Sequence, residues 1–239
     1  MKPSNTAKYL SVLLKLIVIL AAAVGIYRTA TAGRGSFMGG SRVFMFFTIQ
    51  SNIAVALICA VGLWLLFRHT PPKTVWYVIQ FVGAVSITLT GVVFAFVLAP
   101  TLGSHAWNVQ NVLTHVVVPI AAVADFFVTG VYGTLQKRHI PLVTLPPLAY
   151  AIYAGIGYLA GWEFLKGVRY PYFFLNWGSP AGAFGFTRGL PFMGTVWWIL
   201  AILVFLLGIG YGYLAILDLL KKRMYRHRPE ANQGRKRTK

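Results

Sequence analysis

Six long apolar runs divide this sequence, and they restrict its fold more than any other feature. They lie near Tyr9–Tyr27, Val43–Phe67, Val75–Ala99, Val109–Tyr132, Leu142–Gly161 and Phe192–Leu220. Each run is long enough to cross a hydrocarbon core of about 30 Å as a helix. A helix also satisfies its own backbone hydrogen bonds, which lipid requires. The sequence therefore predicts an all-α, polytopic membrane bundle of six transmembrane helices.

The composition agrees with this prediction. The chain is 57% hydrophobic and only 11% charged, whereas soluble domains carry roughly 25% charged residues. A soluble domain would expose far too much apolar surface at this composition. The single cysteine, Cys59, lies inside the second run. It excludes an intrachain disulfide and a cysteine-based metal site, and we expect no metal and no cofactor.

The first run imitates a secretory signal, because Lys2 and Lys8 precede it and the small residues 30–32 follow it. Its apolar stretch is longer than that of a typical signal, so we expect a retained first helix. The predicted organisation is a six-helix transmembrane domain at 1–220 and a basic, disordered cytoplasmic tail at 221–239.

Lysine and arginine positions predict the orientation, since cytoplasmic loops of membrane proteins are enriched in both. If the N-terminus is inside, 16 of the 22 basic residues fall on the inner side and 6 on the outer side. The inner set is Lys2, Lys8, Lys15, Arg68, Lys73, Lys137, Arg138 and the nine basic residues of the tail; the outer set is Arg28, Arg34, Arg42, Lys166, Arg169 and Arg188. We therefore predict a cell-membrane protein with both termini cytoplasmic.

The basic tail and the last outer loop indicate contacts with lipid. Anionic headgroups are the natural partners of a basic segment beside a membrane, and we expect no specific nucleic acid. The loop Trp162–Pro191 is dense in aromatic residues, which favour the headgroup interface, and its glycines and prolines favour tight turns. This pattern predicts a structured outer loop between helices 5 and 6.

Polar residues cluster near the outer ends of the second and fourth runs. Thr48, Ser51 and Asn52 share one helix face by their spacing, and Asn111 and His115 share another. Thr48 and His115 each lie about five or six residues inside their helix, which places both roughly 8–9 Å deep. Buried polar residues in membranes face the bundle interior and often carry function.

These residue types suit acyl transfer. A histidine can accept the proton of a threonine hydroxyl and so activate it as a nucleophile, and asparagine side chains can stabilise the developing oxyanion. The predicted catalytic pair is Thr48 and His115, with Asn52, Asn111 and Ser51 as candidate oxyanion or substrate-binding groups. Asp125 lies about 15 Å below His115, too far to orient it. Its role is left open between a structural hydrogen bond and part of a proton or ion path.

The chain also resembles a known family. Phe47–Thr48 early in the second run, Asn111, His115 and Pro119 in the fourth, and Tyr170–Phe173 in the outer loop resemble the androgen-induced-gene family and its prokaryotic six-span relatives. Animal members are intramembrane threonine hydrolases of fatty-acid esters of hydroxy fatty acids. The resemblance implies Thr48 as nucleophile, His115 as base, and Tyr170 and Pro171 as residues of a cap. We expect Tyr170, Pro171 and Tyr172 to pack over the layer of Thr48 and His115. Tyr170 and Tyr172 are further candidate oxyanion or substrate-binding residues, and a membrane lipid is the expected substrate.

Two other functions are compatible with the same residues. Asp125, His115 and Asn52 would line a polar path in a small-solute or ion carrier, although no inverted repeat is visible. A non-catalytic lipid-binding protein would need only the apolar bundle.

Overall fold

The computed structural model describes residues 4–32, 40–68 and 72–226, and these ranges form an all-helical bundle with no β-strand. Its six long helices are α1 at Asn5–Ala32, α2 at Phe47–Leu66, α3 at Thr74–Leu102, α4 at Val109–Gly130, α5 at Lys137–Leu159 and α6 at Thr195–Arg226. Each is long and apolar enough to cross a membrane. The predicted six-helix membrane architecture is therefore confirmed.

The helix ends differ from the predicted runs by a few residues, because an apolar run indicates a span but does not fix the residue at which its helix begins. A short 3₁₀ helix, Gly40–Met45, precedes α2, which begins at Phe47 rather than Val43. At the other end of the chain, α6 continues to Arg226, so the first residues of the predicted tail are helical. Residues 227–239, and Arg34 in the outer segment, lie outside the described residues.

Helices α1 to α4 form a tightly packed group, and α5 and α6 pack against α3 on one side of it. One core joins α1, α2 and α4 around Val18, Val55 and Val118. A second core joins α3, α4, α5 and α6 around Phe81, Phe126 and Leu206. Many large apolar side chains outside these cores are exposed, as expected for surfaces that face lipid acyl chains.

A buried ion pair joins α1 to α4. Lys15 and Asp125 are 1% and 4% exposed, and the Lys15 Nζ lies 2.5 Å from Asp125 Oδ2 and 2.6 Å from Oδ1. The Ser11 hydroxyl donates to the same carboxylate at 2.6 Å, and Lys15 donates to Ser11 at 2.7 Å. Gly62 makes room for the lysine stem, since a Cβ there would lie 2.5 Å from Lys15 Cε.

The prediction that Lys15 belongs to the inner basic segments is wrong. Lys15 lies inside the bundle and belongs to no loop. Ten residues of helix, about 15 Å, separate it from the start of α1. Without Lys15 and the tail, six basic residues stand on each side. The predicted orientation therefore depends on the tail.

Two helices contain a π-turn at the same level of the bundle. In α3 the π-turn spans Phe94–Leu98, and in α4 it spans Leu113–Val117. Pro119 explains the second turn, because proline has no N–H to donate to the carbonyl of His115. Gly91 lets α3 approach this point, since a Cβ there would lie 3.0 Å from the His115 carbonyl oxygen. Such turns re-aim side chains and are frequent at functional sites.

Residues 160–194, between α5 and α6, form an ordered segment that we call the cap. Its inner face buries Phe164, Phe174 and Leu175 against Phe46 and Tyr150 of the bundle. Trp198 of α6 donates its indole N–H to the Pro191 carbonyl at 2.8 Å and so ties the cap to α6. The segment predicted to be a structured outer loop is thus folded onto one end of the bundle.

Candidate active site

Thr48 and His115 meet beneath the cap. Thr48 lies in the first turn of α2 and His115 lies in the π-turn of α4. The Thr48 Oγ1 is 3.3 Å from His115 Nε2. Both side chains are half-buried, and they face each other between α2 and α4. The sequence predicts that these two residues lie at the same depth, and the contact between them agrees with that prediction.

The hydrogen bonds of the other imidazole nitrogen determine the tautomer of His115. Its Nδ1 lies 3.1 Å from the Asn111 carbonyl oxygen, which can only accept. It also lies 3.1 Å from Thr114 Oγ1, whose own hydrogen is donated to the Gln110 carbonyl at 2.9 Å. Nδ1 must therefore carry the hydrogen in the neutral ring. The lone pair of Nε2 then points at the Thr48 hydroxyl, as a general base requires.

The imidazole plane is held by an aromatic ring. Phe94 stacks on His115 with ring centroids 3.9 Å apart and an angle of 20° between the planes. Phe94 begins the π-turn of α3, and His115 lies within the π-turn of α4. The two turns therefore meet at this stack, which leaves the ring little freedom to rotate away from Thr48.

Tyr172 of the cap contacts Thr48. Its hydroxyl accepts the backbone N–H of Thr48 at 3.3 Å and lies 3.5 Å from Thr48 Oγ1. Burial raises the pKa of the Tyr172 phenol, so it remains protonated near neutral pH and can donate. The ring stacks on Phe174, with centroids 5.1 Å apart and planes 5° apart. The expectation that Tyr172 belongs to a cap over the pair agrees with this geometry.

Asn52 joins α2 to α4 through two hydrogen bonds. Its amide nitrogen donates to the Thr48 carbonyl at 2.8 Å and to the Thr114 carbonyl at 3.1 Å. In a regular helix the Thr114 carbonyl would accept the N–H of Val118, but in the π-turn that N–H goes to Leu113. Asn52 replaces the missing donor. Both of its N–H groups are used, so neither is free for an oxyanion.

Other candidate residues occupy structural positions. Ser51 donates to the Thr48 carbonyl at 3.0 Å and lies 2.7 Å from the Thr90 hydroxyl. The Asn111 side chain donates to the Ala106 carbonyl at 2.8 Å, so it supports the turn before α4 and points away from Thr48. Asp125 is neutralised by Lys15. These three side chains support the bundle and make no contact with the Thr48 hydroxyl.

A cavity of about 60 Å³ opens beside the Thr48 hydroxyl. It lies between α2, α3, α5 and α6, and the cap closes its upper end. Its polar lining residues are few, and Tyr170 is not one of them. The lining consists of Phe47, Thr48, Leu89, Thr90, Val93, Leu98, Pro147, Tyr150, Ala151, Tyr172, Phe174, Leu175, Ile199, Ile202 and Leu203. Such a lining suits a hydrocarbon chain whose polar end lies at Thr48.

Sequence reasoning missed several residues of this site. Phe94 and Thr114 orient the imidazole, and Thr90 and Tyr150 line the cavity. Of these residues, only Thr114 could have been suggested by the sequence. It directly precedes His115, and Pro119 lies one turn after that histidine. The positions of the others depend on which helices are neighbours.

The site has no triad of metal ligands, as no group of three or more histidine, cysteine, aspartate or glutamate side chains occurs within the described ranges. Comparison with known proteins identifies no relative, since no family model, no curated protein and no solved structure matches this chain.

Proposed function

We propose that this chain is an integral membrane hydrolase of lipid esters, with Thr48 as nucleophile and His115 as general base. The observation that carries the proposal is the contact of 3.3 Å between Thr48 Oγ1 and a histidine nitrogen whose lone pair faces it. A threonine hydroxyl is a weak nucleophile by itself, and a histidine in this position activates it.

The reaction has two halves. His115 Nε2 takes the Thr48 proton while Oγ1 attacks the ester carbonyl carbon. The tetrahedral intermediate collapses, the bond to the alcohol oxygen breaks, and His115 returns the proton to that oxygen. In the second half, His115 takes a proton from water, the resulting hydroxide attacks the acyl-threonine, and the fatty acid leaves as Thr48 regains its proton.

Two features near Thr48 suit the developing negative charge. The Tyr172 hydroxyl lies 3.5 Å from Thr48 Oγ1 and can donate to an oxyanion. Thr48 also lies in the first turn of α2, a helix of 20 residues whose N-cap residue, Phe46, provides no side-chain cap. The N-terminus of a helix carries unpaired N–H groups and a partial positive charge. Together they favour an oxyanion at this point.

The apolar cavity supports a substrate with a hydrocarbon chain. It extends from Thr48 to Leu203 on α6 and has mostly aliphatic and aromatic walls. At about 60 Å³ the cavity holds only the first few carbons of an acyl chain, with the ester carbonyl next to Thr48. Membrane lipids are the source of such chains, and the protein would meet them in the cell membrane, with both of its termini in the cytoplasm. The resemblance to intramembrane threonine hydrolases points to the same substrate class.

A carrier function has weaker support. Its polar path would need Asp125 free to bind a cargo ion, but Lys15 and Ser11 already satisfy that carboxylate. His115 lies ten residues, about 15 Å, from Asp125 along α4. Within the described ranges no buried charged side chain other than Lys15 and Asp125 is available to line a path between them. A protein that only binds lipid would not need the hydrogen bonds that orient the imidazole.

The test uses the purified chain in lipid nanodiscs with p-nitrophenyl acyl esters and a fluorophosphonate probe. The parent should cleave esters and become labelled. Thr48→Val keeps the shape of the side chain without its hydroxyl and should abolish both, as should His115→Ala, while Thr48→Ser should retain activity. The double variant should be no less active than either single variant, because the pair acts as a unit.

Thr88→Val is the matched control. It also removes one half-buried threonine hydroxyl, which lies 2.6 Å from the Tyr213 hydroxyl and away from the site, and it should leave turnover unchanged. Full activity of Thr48→Val would show that the nucleophile is another group. A parent that cleaves no acyl ester and takes no label would contradict the hydrolase proposal.

A further inference from the structure

The segment before α6 forms a rigid hairpin that displays apolar side chains. Residues 184–193 turn back on themselves with an isolated β-bridge between Phe186 and Met193. Thr187 N–H donates to the Phe192 carbonyl at 2.8 Å, and Gly194 N–H donates to the Gly185 carbonyl at 2.8 Å. Four large side chains on this hairpin are nonetheless exposed: Phe184 at 63%, Phe186 at 74%, Leu190 at 52% and Phe192 at 52%.

The position of the hairpin relative to α6 sets its depth. Trp197, the third residue of α6, donates its indole N–H to the Phe184 carbonyl at 2.8 Å. The Phe186 ring stacks on the Trp197 ring, with centroids 6.3 Å apart and planes 20° apart. The hairpin therefore folds back beside the first turn of a membrane-spanning helix. Phe184 and Phe186 therefore lie level with the first turn of α6.

The backbone of Phe192 indicates that its exposed ring has a role. Its φ is 64°, a left-handed conformation that costs a bulky residue roughly 1–2 kcal/mol and that glycine or asparagine adopts more easily. The ring is half exposed, so packing within the chain does not compensate for this strain. Strained positions of this kind are often retained for function.

We propose that hairpin 184–193 inserts into the lipid leaflet on the cap side and anchors the cap in it. Phenylalanine and leucine side chains at this depth would contact the upper parts of acyl chains, and aromatic rings suit the boundary with the headgroups. Arg188, at the turn, is exposed and forms no ion pair with any residue in ranges 4–32, 40–68 and 72–226. Lipid phosphates complement its charge.

Site-directed spin labelling of the full chain tests this inference. In a Cys59→Ala background, a nitroxide at Phe186→Cys is measured in phosphatidylcholine vesicles containing some phosphatidylglycerol. Labels at Leu200 and Val204, on the exposed side of α6, serve as depth references. They lie about 4.5 and 10 Å along the helix from Trp197. Leu190→Cys provides a second hairpin site should the first variant not fold.

The expected result is a ratio of oxygen to nickel-chelate collision rates at Phe186 several-fold above that of an aqueous nitroxide. The depth obtained should be shallower than at Leu200, which in turn should be shallower than at Val204. A water-like ratio would show that the hairpin stands clear of the leaflet and would overturn the inference. An immobilised label shielded from both reagents would indicate contact with another protein, including a second copy, and would overturn it equally. Neither result depends on catalysis.

Discussion

Lys15 of α1 and Asp125 of α4 share a buried ion pair, with Nζ 2.5 Å from Oδ2, and no other charged side chain in the described ranges is buried. Two ions in lipid are tolerated only when each satisfies the other. The lysine donates to both carboxylate oxygens and to Ser11, so its three hydrogens are all used. The pair holds α1 in one register against α4, the helix that carries His115.

Breaking this pair should destabilise the bundle strongly. Asp125→Asn leaves an uncompensated ammonium inside it, and Lys15→Met leaves a carboxylate. Each should cost about 3–5 kcal/mol, and the double variant Lys15→Met/Asp125→Leu should recover most of the loss. Unfolding in detergent by titration with sodium dodecyl sulfate measures the effect.

The exposed pair Arg42–Glu163 provides the control, since its atoms lie 3.2 Å apart and its side chains are 43% and 47% exposed. Arg42→Ala should change stability by less than about 1 kcal/mol. A double variant as unstable as either single one would show that the pair itself does not cause the loss.

Replacing Asn52 should loosen the contact between α2, which carries Thr48, and α4, which carries His115. Asn52→Leu removes both N–H groups that join the Thr48 and Thr114 carbonyls. We expect a loss of about 1–3 kcal/mol, because a buried carbonyl is left without a partner. We also expect kcat to fall by more than KM changes, since the distance from Thr48 to His115 is no longer held. Unchanged kcat in a destabilised variant would limit Asn52 to a purely structural role.

Tyr172→Phe tests the oxyanion proposal. The variant keeps the ring that stacks on Phe174 but loses the hydroxyl near Thr48. If that hydroxyl stabilises the transition state, kcat should fall about 10²-fold, as for loss of one oxyanion-hole donor. Tyr213→Phe is the control, because it removes a hydroxyl that lies 2.6 Å from the Thr88 hydroxyl and away from Thr48. Equal activity of both variants would remove Tyr172 from the chemistry.

The orientation of the chain should depend on its tail. Six basic residues stand on each side when Lys15 and the tail are left out, so changing the tail lysines and arginines to glutamine should produce mixed orientations. Lys15→Met should leave the orientation unchanged, because Lys15 lies in no loop. Cysteine accessibility at the C-terminus and within Trp162–Pro191 distinguishes the two cases. A uniform orientation without the tail charges would mean that another signal decides it.

The amino-acid sequence by itself determined the number of helices, their approximate ends, and the shared depth of Thr48 and His115. These features are local, because hydrophobicity over about 20 residues decides whether a helix can span a membrane, and helical geometry decides which residues share a face. A segment dense in aromatic, glycine and proline residues was likewise sufficient to predict an ordered cap.

Only the tertiary structure decided which side chains meet. The spacing of Asn111 and His115 predicts a common face, yet the Asn111 amide turns back to Ala106 while the imidazole turns to Thr48. The π-turn at Leu113–Val117 shifts the register of that face. The sequence does not reveal the burial of Lys15, because its partner, Asp125, is 110 residues away. Contacts between helices depend on how the helices pack and rotate, and no local pattern in the chain encodes this directly.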